Sequence, residues 1–536
     1  MQLSIHINDR LPPLAWIAVV DQQNGAVVTR CGEWVEVGAN FFVEGAWAGD
    51  FGAGAFDQTE CVFGSGAIVR SDSILFVPSI ATTDYLYYFH HSHEVVVSNS
   101  LPLLLASTGD ELDPRYSGYG AINRSIVHGF KDYISDIPTR RRTIQRLIHQ
   151  NLRVDRRSLS LEPKQEPPRF TSFSEYRAYL DTAVCALLSN ARAEARHRPL
   201  FIASTQSRGY DTTAINAIAS KYGIDSVFTI TRAKPSGGFI ADASALSSDD
   251  GTEICHRFGL TNVVPLDRKA PSGTSDDERL LLATLDDNQD ANFIPICRNL
   301  PERPSLLLTG TLGEIWYPER IYTEWREPNS GAHLARWDLG THGLTELRLT
   351  HGFVQAPLVY LGARNRDDIF RLSDSPEMAP WHLDSHYTRP LPRRIAEEAG
   401  IPRDAFGQRK MATVVESPSP QIPWAADLRA GYYAFLRRHK VISPVGWSLL
   451  PIIHAWNTAT IFASPTKQRA VYYMQRLLIR FGRSDTRLPQ LGRALDGRLF
   501  CFAANTRVQD YARALESPPA ASKTGSPSKS VSAAQS

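Results

Sequence analysis

The sequence predicts two regions of different class: an α+β region of antiparallel strands over residues 1–163, then an α/β region with a parallel sheet over residues 172–516, whose C-terminal part is helical. Three observations carry that expectation. Short apolar runs separated by Gly, Asn and Asp fill the chain as far as Pro163, a pattern of strands and turns. Around Glu162 to Arg169, three prolines among charged residues suit an exposed connector better than the inside of an element. From Ser172 the apolar period becomes helical, and strand-like and helix-like stretches then alternate.

In the first region the clearest strands are Trp16 to Val20, Ser73 to Pro78 and Val95 to Val97. Tyr176, Leu180, Val184, Leu187 and Leu188 recur at helical spacing in a segment without Pro or Gly, so a helix leads the second region. Strands follow at Leu200 to Ala203, Ser226 to Thr231, Val263 to Leu266 and Ser305 to Leu308, with helices at Asp211 to Tyr222 and Ser248 to Phe258 between them. Such alternation implies a parallel sheet covered on both faces. Past about Ala332 the pattern is mainly helical. There Val471, Met474, Leu477, Leu478 and Phe481 mark a basic amphipathic helix, read as a packed surface helix. Residues 517–536 are mostly Ser, Pro, Ala, Lys and Gly; they offer too few apolar side chains to offset the entropy of ordering, and a disordered tail is expected.

Composition narrows the function. With 536 residues, 43% of them hydrophobic, the chain can bury more than one core. Its formal net charge of +2 provides no broad basic field to recruit nucleic acid or an anionic membrane. Six cysteines (Cys31, Cys61, Cys185, Cys255, Cys297, Cys501) are far apart and lack zinc-site spacing, which suits a reduced, cytoplasmic chain. Residues Met1 to Arg10 contain no apolar signal-peptide core and no later stretch is apolar for membrane-spanning length, so neither secretion nor membrane insertion is expected. The cluster His90, His91 and His93 has no carboxylate triad beside it. Strand alternation sets His91 and His93 opposite His90, and surface histidines are the reading.

The segment that carries chemistry runs Leu200-Phe-Ile-Ala-Ser-Thr-Gln-Ser-Arg-Gly-Tyr-Asp-Thr-Thr-Ala-Ile, an apolar strand entering a small polar turn and then a helix. A strand end followed by a helix N-terminus aims unpaired N–H groups and the positive end of the helix dipole at one place, and small residues let a phosphate approach. Ser204, Ser207, Arg208, Gly209, Asp211 and Thr212 are the candidate phosphate-binding residues, with Asp211 suited to a magnesium ion bridging phosphate oxygens. The same Ser, Gly and Asp would also serve as plain helix caps in a turn that binds nothing.

This loop resembles the Ser-Gly-Gly-x-Asp-Ser pyrophosphate loop of the asparagine synthetase and related N-type ATP pyrophosphatase families, with Arg208 standing where the first glycine would be. The similarity extends over most of residues 40–415. Leu306-Leu-Leu-Thr-Gly-Thr-Leu-Gly-Glu-Ile-Trp resembles the family's Ser-Gly-x-Gly-x-Asp-Glu segment, which implies Gly310 at the nucleotide and Glu314 as a second magnesium ligand beside Asp211. His342-Gly-Leu-Thr-Glu-Leu-Arg is similar to the helix with a Glu-x-Arg pair, which implies Glu346 as a catalytic proton acceptor or positioning group, with Arg348 its companion. The run from Arg393 to Lys410 resembles the segment ending in Arg-x-Lys, which implies Lys410 as the catalytic lysine that neutralises phosphate charge. Upstream, Glu44-Gly-Ala-Trp-Ala-Gly-Asp-Phe and Val96-Val-Ser-Asn-Ser-Leu-Pro-Leu-Leu-Leu-Ala are similar to the family's glutaminase-like domain.

The resemblance implies an Ntn-like sandwich at residues 1–163 and a PP-loop synthetase domain at 172–516. Gln2 stands where glutamine-using members carry a cysteine, so glutamine hydrolysis is not expected. The implied cofactors are ATP and Mg2+, and the implied partners are a small-molecule or peptide carboxylate and an amine or ammonia, joined as an amide with release of AMP and pyrophosphate. Two functional classes stay open at this point: a carbon–nitrogen ligase, and a catalytically silent binding or scaffold protein that keeps the fold. Adenylation of a nucleic-acid base, as in tRNA-modifying relatives, fits the near-neutral charge poorly.

Overall fold

A computed structural model describes residues 1–235, 247–266, 276–283, 288–318, 340–384, 387–407, 411–412, 426–444, 446–448, 450–451, 495 and 497–516. The expected helix around Val471 to Phe481 and the expected tail at 517–536 lie outside the described residues.

The apolar runs of the first region fold into two sheets. The seven-stranded sheet contains β1 (Gln2–Ile7), β2 (Trp16–Asp21), β3 (Ala26–Cys31), β8 (Leu86–His91), β9 (Glu94–Ser98), β10 (Asp136–Pro138) and β11 (Thr143–Leu147) in the order β1-β3-β2-β9-β8-β11-β10. The six-stranded sheet contains β4 (Glu36–Val37), β5 (Phe41–Trp47), β6 (Val62–Val69), β7 (Ser73–Val77), β12 (Gln150–Asp155) and β13 (Leu159–Pro163) in the order β13-β12-β7-β6-β5-β4. All pairs are antiparallel except β1 with β3. Trp16, Ala18 and Val20 of β2 alternate inward to meet Phe42 and Phe76 from the other sheet, so the two sheets share one buried layer. His90 and His91 are exposed at the end of β8, while His93 lies in the turn behind Ser92, whose φ is +54°; the strand alternation expected for His93 ends before it.

The second region opens with the helix Phe173–Ala191, capped by the Ser172 side chain, which accepts from the Glu175 N–H. It packs against β5: the Asn190 side chain accepts from the Trp47 N–H and donates to the Gly49 carbonyl. Five strands then form a wholly parallel sheet: β14 (Phe201–Gln206), β15 (Ser226–Ile230), β18 (Val263–Leu266), β19 (Ser305–Thr309) and β20 (Phe353–Pro357), in the order β18-β15-β14-β19-β20. Short strands β16 (Arg232–Pro235), β17 (Ser247–Ser248) and β21 (Met411–Ala412) make a separate three-stranded sheet.

Side chains of the parallel sheet alternate between two covered faces. Ile202, Leu306, Leu308, Val354 and Ala356 join the helices Phe173–Ala191 and Tyr210–Ala219 in one core. Ala203, Leu307 and Phe353 join Leu281, Ile294 and Leu347 on the other side. Near-continuous apolar strands are what a doubly covered parallel sheet requires.

The helix Arg498–Glu516 closes back on the first region rather than on its own sheet. It packs on the helix Leu101–Ser107, Asn8 donates to the Ala514 carbonyl, and Arg498 caps the carbonyls of Pro114 and Tyr116. The two regions are thus joined at both ends of the second. Among the described residues no helix is long and apolar enough to cross a membrane.

Candidate functional site

In the parallel sheet, β14 and β19 are neighbours whose connections depart in opposite directions along the sheet: the order runs outward from β14 through β15 and β18 on one side, and from β19 to β20 on the other. Such a reversal leaves a crevice at the carboxyl ends of the two central strands, because the connections that follow them lead to opposite sides of the strand order. A cavity of about 220 Å3 opens there, lined by the loops after β14 and β19 together with Phe228, Asp249, Asp290 and Arg389.

The first loop is braced by its own side chains. Thr212 Oγ1 accepts from the Ser207 N–H at 3.1 Å, Ser207 Oγ accepts from the Gly209 N–H at 3.0 Å, and Asp249 Oδ1 accepts from the Arg208 N–H at 3.0 Å. Gly209 precedes the helix Tyr210–Ala219 with no side-chain cap of its own, which leaves Asp211 and Thr212 in the first turn facing the cavity. Arg208 turns away from the loop: its Nε donates to the Ala405 carbonyl at 3.2 Å, and the Gly407 N–H returns a bond of 2.9 Å to the Arg208 carbonyl. The guanidinium therefore pins the 403–407 loop, and the packing of Tyr210 on Phe406, with ring centroids 4.7 Å apart, fixes the same loop to the helix start.

The second loop approaches the first closely, and two glycines make that possible. A Cβ on Gly310 would lie 2.9 Å from the Thr212 methyl and 3.0 Å from its backbone nitrogen. A Cβ on Gly313 would lie 2.1 Å from Asp211 Oδ2. Between the loops sits an ion pair in which Arg389 Nη1 contacts Asp211 Oδ2. Arg389 Nη2 also donates to the Tyr317 hydroxyl at 2.7 Å, and the guanidinium lies 4.4 Å from the centre of the Tyr317 ring. Burial pushes the Arg389 pKa down to about 9, which still leaves it charged at neutral pH. Asp211 Oδ1 is buried without a hydrogen-bond partner among the described residues. Burial also lifts the Asp249 carboxyl to about 6, against the opposing pull of the Arg208 N–H and guanidinium.

Backbone strain marks the same place. Leu312 and Thr341, both lining the cavity, have φ of +68° and +69°. A residue with a Cβ in the left-handed region costs roughly 1–2 kcal/mol, and such outliers gather at functional sites. The Thr341 N–H donates to Asp290 Oδ1 at 2.7 Å, so the strained backbone is fastened to another cavity residue.

Of the residues singled out from sequence, Ser207, Arg208, Gly209, Asp211, Thr212, Gly310 and Glu314 all line this cavity. Ser204 does not. It is fully buried, and its hydroxyl bonds to Asn216 Oδ1 at 2.5 Å, because strand alternation turns it toward the helix Tyr210–Ala219. Glu346 does not reach the cavity either. It lies at the start of the helix Thr345–His351, buried against the first region, where Oε1 accepts from the Ser100 hydroxyl at 2.6 Å and Oε2 from the Tyr511 hydroxyl at 2.7 Å. Both of its oxygens are engaged there in joining three elements. Its companion Arg348 is fully buried on Glu44 and Asp84, at 2.9 and 2.7 Å. Lys410 lies outside the described residues.

Sequence reasoning missed Asp249, Asp290, Thr341 and Arg389. No local pattern distinguishes Arg389 from the chain's other arginines; only its burial between two loops does. Gly313 falls within the segment after β19 that resembles the family motif, but its closeness to Asp211 depends on how the strands are ordered.

The chain matches no family model, and no curated protein matches it.

Proposed function

We propose that this cleft binds ATP and that the protein is an amide-forming ligase of the asparagine synthetase kind, with residues 1–163 as an Ntn-like domain that does not hydrolyse glutamine and residues 172–516 as the PP-loop synthetase domain. The observation that carries this reading is the meeting of two loops, 207–212 and 310–314, at the carboxyl ends of adjacent parallel strands where the strand order reverses. The first loop has the sequence character of a phosphate site, and the second resembles the family's Ser-Gly-x-Gly-x-Asp-Glu segment, each independently of its closeness to the other. The apolar side of the cavity, with Phe228, Ile230, Phe293 and Ile296, suits a flat base, while the loops suit its phosphates.

The donor set fits magnesium. Asp211 has an unpartnered buried oxygen and Glu314 lines the same cavity. Magnesium commonly takes one or two carboxylates and completes its shell with phosphate oxygens and water. When bound at Asp211 and Glu314 it would supply neutralisation of pyrophosphate charge.

In the reaction, a carboxylate oxygen of the substrate attacks the α-phosphorus, the bond to the bridging oxygen breaks, and pyrophosphate leaves. An amine or ammonia then attacks the acyl carbon, and AMP departs with the electron pair of the acyl–oxygen bond. The N-terminus of the helix Tyr210–Ala219 and the small residues of the two loops orient the phosphates. Lys410 ends the run from Arg393 that resembles the family's Arg-x-Lys segment, and that resemblance is the basis for its role as a phosphate-neutralising lysine.

A second reading is favoured by a specific observation: the N–H groups of Ser207, Arg208 and Gly209 are already satisfied by side-chain oxygens. A silent binding or scaffold protein would keep them so. Exchange of radiolabelled pyrophosphate into ATP, with Mg2+ and a panel of carboxylates, separates the two. Ligase activity requires carboxylate-dependent exchange that is lost in Asp211→Ala; absence of exchange together with absence of Mg-ATP binding by calorimetry selects the scaffold.

A further inference from the structure

Arg389 is a buried guanidinium that lies in the cleft and that the candidate reaction does not use. It is 1% exposed and precedes the helix Pro390–Glu398, whose two early prolines fix the chain entry. Its guanidinium lies between the loop 207–212 and the loop 310–314, against Asp211 Oδ2 on one side and the Tyr317 hydroxyl on the other. Gly313 passes so close that a Cβ there would lie 2.8 Å from Arg389 Nη1 as well as 2.1 Å from Asp211 Oδ2. The packing is tight, yet the charges are incompletely matched: Arg389 Nε and Asp211 Oδ1 are both buried with no hydrogen-bond partner among the described residues. The Asp211 side chain is 19% exposed and lines the cavity, so its carboxylate can leave the guanidinium without being stranded in the core.

An incompletely satisfied acid and base, side by side at the mouth of an anion-binding turn, suit a pair that separates when ligand arrives. We infer that Arg389 is a ligand of the polyphosphate group, and that Asp211 holds its guanidinium in place until that group binds. On binding, the guanidinium exchanges the Asp211 carboxylate for phosphate oxygens, which it can bridge with two N–H groups, and the released carboxylate becomes available to a divalent cation. Anion and cation binding are thereby coupled, each removing a partner that would otherwise compete with the other. This assignment rests on the nucleotide reading of the cleft.

The test is calorimetric titration of the full-length protein with inorganic pyrophosphate, once with Mg2+ and once with EDTA. Wild type is compared with Arg389→Lys, Arg389→Gln, Asp211→Asn and the double variant Arg389→Gln/Asp211→Asn, which removes both charges and so guards against misfolding from one unpaired buried group. Thermal unfolding establishes that each variant is folded. The expected results are a loss of roughly 10-fold to 100-fold in pyrophosphate affinity for Arg389→Gln and for the double variant, a smaller loss for Arg389→Lys, and a gain for Asp211→Asn in EDTA, where the competing carboxylate is gone and no cation is needed to displace it. Pyrophosphate affinity that is unchanged in folded Arg389→Gln and in the double variant overturns the assignment while leaving the nucleotide reading intact. A wild-type protein that binds neither pyrophosphate nor ATP under either condition overturns both.

Discussion

Single residues in the cleft are constrained by distance before chemistry. Gly313 has no room for a methyl group, since the added carbon would overlap the Asp211 carboxylate. Gly313→Ala is therefore expected to separate the two loops, cost roughly 1–3 kcal/mol in denaturant unfolding, and weaken Mg-ATP binding measured by calorimetry. Glu346 makes the opposite case. Its oxygens are satisfied by Ser100 and Tyr511, away from the cleft. Glu346→Gln is expected to lower the unfolding midpoint while leaving the rate of pyrophosphate exchange within about two-fold of wild type, since its loss changes a buried hydrogen-bond network rather than a group touching substrate. A catalytic Glu346 would give a large fall in exchange rate at little cost in stability.

At the scale of elements, the helix Arg498–Glu516 shows how a remote segment becomes part of the first region. Leu499, Phe500, Cys501 and Ala504 are buried, and the helix packs on Leu101–Ser107. Tyr511 connects it to the helix Thr345–His351 through Glu346. Tyr511→Phe removes one donor and leaves a buried carboxylate oxygen short of a partner, so a loss of roughly 1–3 kcal/mol in denaturant unfolding is expected. Strands and helices around the parallel sheet were largely legible in the sequence: Val263 to Leu266 is a strand as expected, and the helix after Ser172 begins where the apolar period changes. The strand expected at Leu200 to Ala203 instead runs Phe201–Gln206, because Ser204, Thr205 and Gln206 gain their pairing from β15 and β19 rather than from apolar character. Polar strand ends of this kind are invisible to a reading based on hydrophobic runs.

Across the whole molecule, the two regions are joined by buried polar groups. Arg348 extends from the second region to Glu44 and Asp84 of the first, and all three are buried. Burial raises both carboxyls while the guanidinium opposes the rise. Arg348→Met would strand two buried acids, with an expected loss of roughly 3–5 kcal/mol in denaturant unfolding. Glu60 gives the junction a pH dependence. Its Oε1 accepts from the Gly362 N–H at 3.0 Å and from the Tyr179 hydroxyl, and burial lifts its carboxyl to about 8 from an ordinary 4.5. Over that window the folded chain retains a proton that the unfolded chain releases. The stabilisation present below 4.5 is thus lost as pH rises toward about 8, and Glu60→Gln is expected to flatten this part of a stability–pH curve measured by denaturant unfolding.

Apolar periodicity, proline clusters and small polar turns are local properties written in consecutive residues. For that reason the antiparallel and parallel regions, the change of class near Pro163 and the loops at 207–212 and 310–314 could all be read along the chain, together with seven of the residues that line the cleft. Three other facts came from the folded molecule alone: β14 and β19 are neighbours, Glu346 faces the first region, and Arg389 lies on Asp211. They depend on strand order and on which side of a strand or helix meets which partner, and they join residues as far apart as Asp211 and Arg389. No local pattern encodes such a meeting; it is fixed when both faces of the sheet are covered and the remaining buried charges must find one another.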